Sequence, residues 1–206
     1  MEAAVRLLPF IIITIFCTML NGALMPKVGY YMPFFFISSV FITIGGAVMY
    51  ATVTPSTSNA TIYGYSVLMA IGAGLSQQAA YSVAPAKVAP NRVPDAVGFI
   101  NAAQIGAIVI ALTITSTVFQ NMGYRHVAAA LKGLDFTSSD IHAALAGAKS
   151  AVFASAPEEV KAKVVEGIVK AISDGYILVI VAGAFGLVCS LFLKREKLFM
   201  EAGAGA

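Results

Sequence analysis

Residues 33–53 read PFFFISSVFITIGGAVMYATV, from Pro33 to Val53, without one Asp, Glu, Lys, Arg or His. A helix needs about 20 mainly apolar residues to cross the hydrocarbon core of a bilayer. This stretch has that length, and its apolar side chains would cover every side of a helix rather than one face. Pro33 opens it, where a first-turn proline sacrifices no hydrogen bond. Four more uncharged runs share this character: Leu7 to Met25, Ile62 to Ala84, Ala96 to Phe119 and Tyr176 to Leu193. The expected fold class is an all-α membrane protein with about five transmembrane helices, near residues 7–25, 33–53, 62–84, 96–119 and 174–194.

The composition argues the same way. Of 206 residues, 59% are hydrophobic and 11% are charged, where about 25% charged is usual for a soluble domain. Mean hydropathy is +0.85. With 13 basic and 10 acidic residues, a soluble chain of this size could not cover its surface with polar groups. The net charge of +3 is small and scattered, so neither a phosphate-binding face nor a nucleic-acid partner is expected. The expected partner is the lipid bilayer. Cys17 and Cys189 both lie in apolar runs and read as small packing residues, not as a disulfide framework or a zinc site. The first run is longer than the roughly 7–15 apolar residues of a secretory signal, and no small-residue cleavage site follows it. It reads as a span; cleavage would leave four.

Charge sets the direction. The first connection holds Lys27, the third holds Lys87 and Arg92, and the last span is followed by Lys194-Arg195-Glu196-Lys197. The second connection, Thr54 to Thr61, carries no charge. Basic residues near span ends favour the cytoplasm, which places the N-terminus outside and residues 195–206 in the cytoplasm. Asn59-Ala60-Thr61 is a glycosylation sequon on the expected outer side. The long connection, 121–173, mixes basic and acidic residues, which long outer loops tolerate. Ser138 or Ser139 is expected to cap a short helix running from Asp140 toward Phe153. Ser155, Pro157, Glu158 and Glu159 mark a second start, with carboxylates in the first turn. Val160, Val164, Ile168 and Ile172 recur on one face of that helix, which leads into the last span.

Within the five runs no ionisable group stands at membrane depth, where a proton relay normally shows one. No nucleophile elbow, phosphate loop or carboxylate pair occurs in a span, so no enzymatic activity and no cofactor are expected. His126 and His142 fall in the long connection without partners at metal-ligand spacing and read as solvated. The polar residues at depth are amides and hydroxyls. Gln77 and Gln78 are followed by Tyr81 and Ser82, giving two i,i+4 pairs. Asn101, Gln104 and Thr115 share one face of the next run. Gly98, Ala102 and Gly106 share another, spaced for close helix packing. Gln78 and Gln104 fit a solute path or plain interhelical hydrogen bonding equally well, while Thr115, Gly72 and Gly74 read as packing residues.

The first expected cytoplasmic connection reads Gly22-Ala23-Leu24-Met25-Pro26-Lys27-Val28-Gly29-Tyr30-Tyr31. It resembles the degenerate C-half copy of the cytoplasmic loop motif of the major facilitator superfamily, with Pro26 where the fuller motif has an acid. Arg6-Leu7-Leu8-Pro9, Lys27 to Pro33, Gly64-Tyr65 with Ile71 to Gln78, and Phe99, Gln104, Gly106, Val118-Phe119 and Asn121 resemble, in order, the fungal-type fourteen-span drug:proton antiporter branch. The resemblance implies the last five spans of a larger efflux transporter, without its N-terminal half and that half's proton-coupling motifs. It further implies residence in the plasma membrane and export of a small organic substrate by proton antiport. On that reading Gln77, Gln78, Asn101 and Gln104 line the pathway, and Gly22, Lys27 and Gly29 form the loop hinge. The rival reading is a stand-alone multi-pass protein with a structural or regulatory role, pairing with a transporter through Gly98, Ala102 and Gly106.

Overall fold

The computed structural model describes the backbone of residues 2–147 and 156–198, with side chains from Leu7 onward. Its helices are α1 (Glu2–Val28), α2 (Met32–Thr52), α3 (Asn59–Gln77), the single turn α4 (Ala79–Val83), α5 (Val93–Ala130), α6 (Ser138–Ala146) and α7 (Glu158–Leu191). Two 3-10 turns, Pro85–Lys87 and Pro90–Arg92, connect α4 to α5. Four stretches among the described residues are long and apolar enough to cross a membrane: Leu7–Val28, Met32–Thr52, Pro90–Ala130 and Glu158–Leu191. The helix α3 lies between α1 and α2, but Asn59, Tyr63, Tyr65 and Gln77 dilute its apolar content.

Large apolar side chains stand exposed along these helices, among them Phe16, Met19, Ile105, Leu112, Val181 and Phe185. Patches of that extent are not stable against water. Against lipid they are the expected exterior of a multi-pass membrane protein.

The helices meet in the order α1, α3, α2, α7, α5. Hydrocarbon tails give helices little hydrophobic reason to associate, so close backbone approach and polar contacts hold them. A Cβ on Gly72 would lie 2.8 Å from the Ser38 carbonyl, and one on Gly74 would lie 2.6 Å from that of Thr14. The same glycines, and Leu75 beside them, offer their carbonyls across the seam. Ser38 Oγ donates to Gly72 O at 2.6 Å, Thr18 Oγ1 to Gly74 O at 3.2 Å, and Asn21 Nδ2 to Leu75 O at 2.6 Å. Gly46 meets Val179 and Ile180, and Gly183 meets Thr43, which seats α2 on α7.

Three boundaries differ from those expected. The run 62–84 is interrupted at Gln78, so α3 ends before Ala84. The helix α5 continues past Phe119 to Ala130, because Val127 packs in a small core with Leu131, Ile141, Ala144 and Val164. The amphipathic helix and the last span form one rod, α7, which runs unbroken through Gly175, between Ile172 and Tyr176. Thr137, rather than Ser138 or Ser139, caps α6: its Oγ1 accepts from Asp140 N at 3.3 Å, and the Asp140 carboxylate accepts from Thr137 N at 2.8 Å. The bonds that Thr137 donates to the carboxylate, from its N–H and then from its hydroxyl, hold the Asp140 carboxyl below its ordinary pKa. The continuation of this helix toward Phe153, the Ser155 start signal and the tail beyond Leu198 lie outside the described residues.

Candidate functional site

The interruption of the third run builds the polar site. The chain leaves helical geometry at Gln78 (φ −104°, ψ −2°) and re-enters it for one turn. Tyr81 N donates to Gln78 O at 3.1 Å, an i→i−3 bond. A continuous helix would have sent it to Gln77 O. The carbonyl so released is taken by Gln104 Nε2 of α5 at 3.0 Å. In a membrane interior, a freed backbone group must find such a partner.

Tyr81 completes the cluster. Its hydroxyl lies 2.5 Å from Asn101 Oδ1 and 2.9 Å from Gln104 Oε1. One phenolic hydrogen faces two amide oxygens, so one acceptor is always left over. Asn101 is exposed, as are both Gln77 and Gln78, while Gln104 and Tyr81 are half-buried. The break cancels the expected Gln77–Tyr81 and Gln78–Ser82 pairs and replaces them with contacts between α4 and α5. Gln77, Asn101 and Gln104 are thereby brought together on an open face, with uncharged donors and acceptors directed outward. Tyr81, which the sequence pairs only with Gln77, is thus a member of the site.

The other candidates go elsewhere. Gly22 lies within α1 with no atom within 4 Å of an added Cβ, and Lys27 is exposed in the last helical turn. Of the expected hinge residues, Gly29 alone turns the chain, at φ 77°. Gly98 and Gly106 have nothing within 4 Å, and Ala102 is exposed, so among the described residues no helix covers their face. From Asn101 to Thr117 every α5 residue except Gln104 is exposed. Thr115 lines a small cavity with Phe119, Ala171 and Val179, against α7.

At one end of the bundle, the first connection, the third connection and the C-terminal segment converge. Gly29 O accepts from Leu198 N at 3.1 Å, and Tyr30 pairs as an antiparallel bridge with Lys197. Lys87 Nζ donates to Tyr31 Oη at 3.2 Å, lies 5.0 Å from the centre of the Tyr31 ring, and is ion-paired with Glu196. Hydrogen bonding to Glu196, then to Tyr31, raises the Lys87 pKa; the bond from Lys87 holds the Glu196 carboxyl below its ordinary value. Residues assigned to one membrane side by charge thus meet in space. The signal available in sequence was a lone acid inside a basic tail.

At the opposite end, His126 is not merely solvated. Its Nε2 lies 3.1 Å from Asp174 Oδ2, and Lys170 Nζ lies 3.4 Å from Asp174 Oδ1. Asp174 is buried, and Ser173 beside it donates to Tyr50 O at 2.8 Å. Among the described residues no three His, Cys, Asp or Glu side chains converge as metal ligands.

Comparison with curated proteins finds relatives along almost the whole chain. Efflux pump patC of Aspergillus clavatus is 41% identical over 195 residues, which are 95% of this chain and 35% of that protein. MFS-type transporter pgmG of Aspergillus terreus is 36% identical over 204 residues, 99% of this chain and 35% of that protein. Efflux pump alnA of Emericella nidulans is 37% identical over 206 residues, 100% of this chain and 37% of that protein. The chain spans about a third of the length of these relatives. No family model and no solved structure matches it.

Proposed function

Because the chain belongs to the major facilitator superfamily of membrane transporters, we propose that it forms the C-terminal part of an efflux transporter. In that role it supplies one wall of a central cavity through which a small organic molecule is exported by proton antiport. Gln77, Gln78, Asn101 and Gln104, joined by Tyr81, form the polar part of that wall. The remaining transporter spans cover the exposed α5 face that holds Gly98, Ala102 and Gly106. The converging basic connections lie in the cytoplasm, the Asn59 sequon lies outside, and the membrane is the plasma membrane. The chain performs no covalent chemistry.

One observation carries this reading. An interrupted helix presents uncharged donors and acceptors on an otherwise apolar, uncovered face. Transporter sites are built at such discontinuities, at the seam between halves. Amides with spare acceptor capacity recognise a neutral or amphipathic solute without the desolvation cost of a buried charge. Gln104→Ala, made in a transporter carrying this chain as its C-terminal part, is expected to change the order of substrate preference when transport is normalised to the amount of transporter in the membrane. Unaltered transport of every substrate tested would remove Gln104 from the pathway.

A further inference from the structure

A second cavity, of about 520 Å³, lies between α2, α3 and α7, within the range of about 300–1,000 Å³ typical of small-molecule sites. It does not include Tyr81, Asn101 or Gln104. Phe35, Ile42 and Leu193 give it an apolar wall, and four serines, Ser38, Ser39, Ser76 and Ser190, give it hydroxyls. Gly186 keeps it open, since a Cβ there would lie 2.7 Å from Ser39 Oγ.

The chemistry of those hydroxyls is already half used. Ser38 and Ser76 donate to Gly72 O at 2.6 and 3.4 Å, Ser39 to Phe35 O at 2.9 Å, and Ser190 to Leu187 O at 2.7 Å. A serine has one hydrogen to give and two lone pairs to receive with. Ser38 and Ser190 are almost fully buried, so Ser39 and Ser76 are the hydroxyls with surface to offer, and with their hydrogens directed at helix carbonyls they face a ligand as acceptors. No charged residue lines the cavity, so a charged ligand would be buried without a counter-charge, at high cost. A pure hydrocarbon would fill the volume and leave the acceptors unused.

We propose that this cleft is a binding site for an uncharged, apolar molecule carrying its own hydrogen-bond donor, such as a phenol or an alcohol. It is separate from the polar cluster on α4 and α5, and it stands or falls independently of the transport reading.

Cys189 provides the assay. It lines the cleft and is exposed, whereas Cys17, the other cysteine of the chain, is buried. The 206-residue chain is reconstituted in lipid nanodiscs, and the rate at which N-ethylmaleimide alkylates Cys189 is followed by mass spectrometry. The probes are 4-phenylphenol and its matched hydrocarbon, biphenyl. At twice its dissociation constant the phenol is expected to slow alkylation about threefold, by occupancy alone. Biphenyl should slow it far less. Ser39→Ala should erase the difference between the two. Ala182→Leu, which adds bulk at an exposed lining position and leaves every serine in place, should abolish protection by either. Equal protection by phenol and hydrocarbon would overturn the proposal, because donor recognition would be absent. Protection in detergent that disappears in nanodiscs would also overturn it, leaving lipid as the occupant. No protection under either condition would do the same.

Discussion

Gln104 of α5 donates its side-chain N–H to the backbone carbonyl of Gln77, 3.0 Å away, and so closes the gap left where the third run departs from helix. The bond links a local backbone event to the contact between α4 and α5. Gln104→Leu keeps the volume and removes the donor, leaving a carbonyl without its partner in a low-dielectric setting. Such a loss costs about 1–2 kcal/mol. The variant is expected to lose helicity at a lower temperature than the parent chain in the same detergent. A transition at the same temperature would show that another group satisfies Gln77.

Lys87 and Glu196 predict a pH window. Glu196 has a lowered folded-state pKa, so its contribution is present above its unfolded value and is lost as pH falls through the folded one. Lys87 has a raised pKa, so its contribution is present below its unfolded value and is lost as pH rises through the folded one. The latch between the third connection and the tail is therefore closed from mildly acidic to mildly alkaline pH. It opens below the ordinary carboxylate range. Amide exchange at Leu198, whose N–H is bonded to Gly29 O, should accelerate on acidification beyond the intrinsic trend. Glu196→Gln should show fast exchange already at neutral pH. An exchange profile identical in the variant would disconnect the ion pair from the bridge.

The legible part of this molecule was the part governed by length and charge. Residues 33–53 announce α2 because 21 uncharged residues in a row have few other destinations. The gathering of Tyr31, Lys87 and Glu196 at one end follows from an alternation of basic and uncharged connections that sequence displays. The break at Gln78 was not legible, because Gln77 and Gln78 are tolerated in helices and no Gly or Pro marks the position. It is set by tertiary partners on α5, more than twenty residues away. The same limit applied to His126. Its partner Asp174 lies 48 positions distant, and only the continuity of α5 and α7 beyond their apolar runs brings the two together.

Glycines of the same family of spans should differ sharply in tolerance. An alanine Cβ at Gly72 would lie 2.8 Å from Ser38 O and 2.7 Å from Ile42 Cγ1, so α2 and α3 would have to separate. Gly22, also helical, has nothing within 4 Å. Gly72→Ala is expected to destabilise by about 1–3 kcal/mol through overpacking, and to weaken the Ser38 bond to the same glycine. Gly22→Ala should be neutral or stabilising by up to about 1 kcal/mol, through helix propensity. Denaturant titration of helicity separates the two, and equal effects would mean that the α2–α3 contact is not a tight one.

His126 and Asp174 join α5 to α7 beyond the apolar spans, beside the glycine contact in which a Cβ on Gly167 would lie 3.2 Å from His126. The Asp174 side chain is 10% exposed and is approached by His126 from α5 and by Lys170 from its own helix. A carboxylate so placed costs little only while its partners remain. Asp174→Asn is therefore expected to loosen the α5–α7 contact, and His126→Ala to do so by a smaller amount, because Lys170 still faces the acid. The double variant should cost less than the two single changes combined, with a coupling of about 0.5–3 kcal/mol for residues in direct contact. A disulfide-trapping pair placed at Thr115 and Val179, which face one cavity, reports the loosening as slower cross-linking. Additive effects, with unchanged cross-linking, would show that the glycine contact alone holds these helices together.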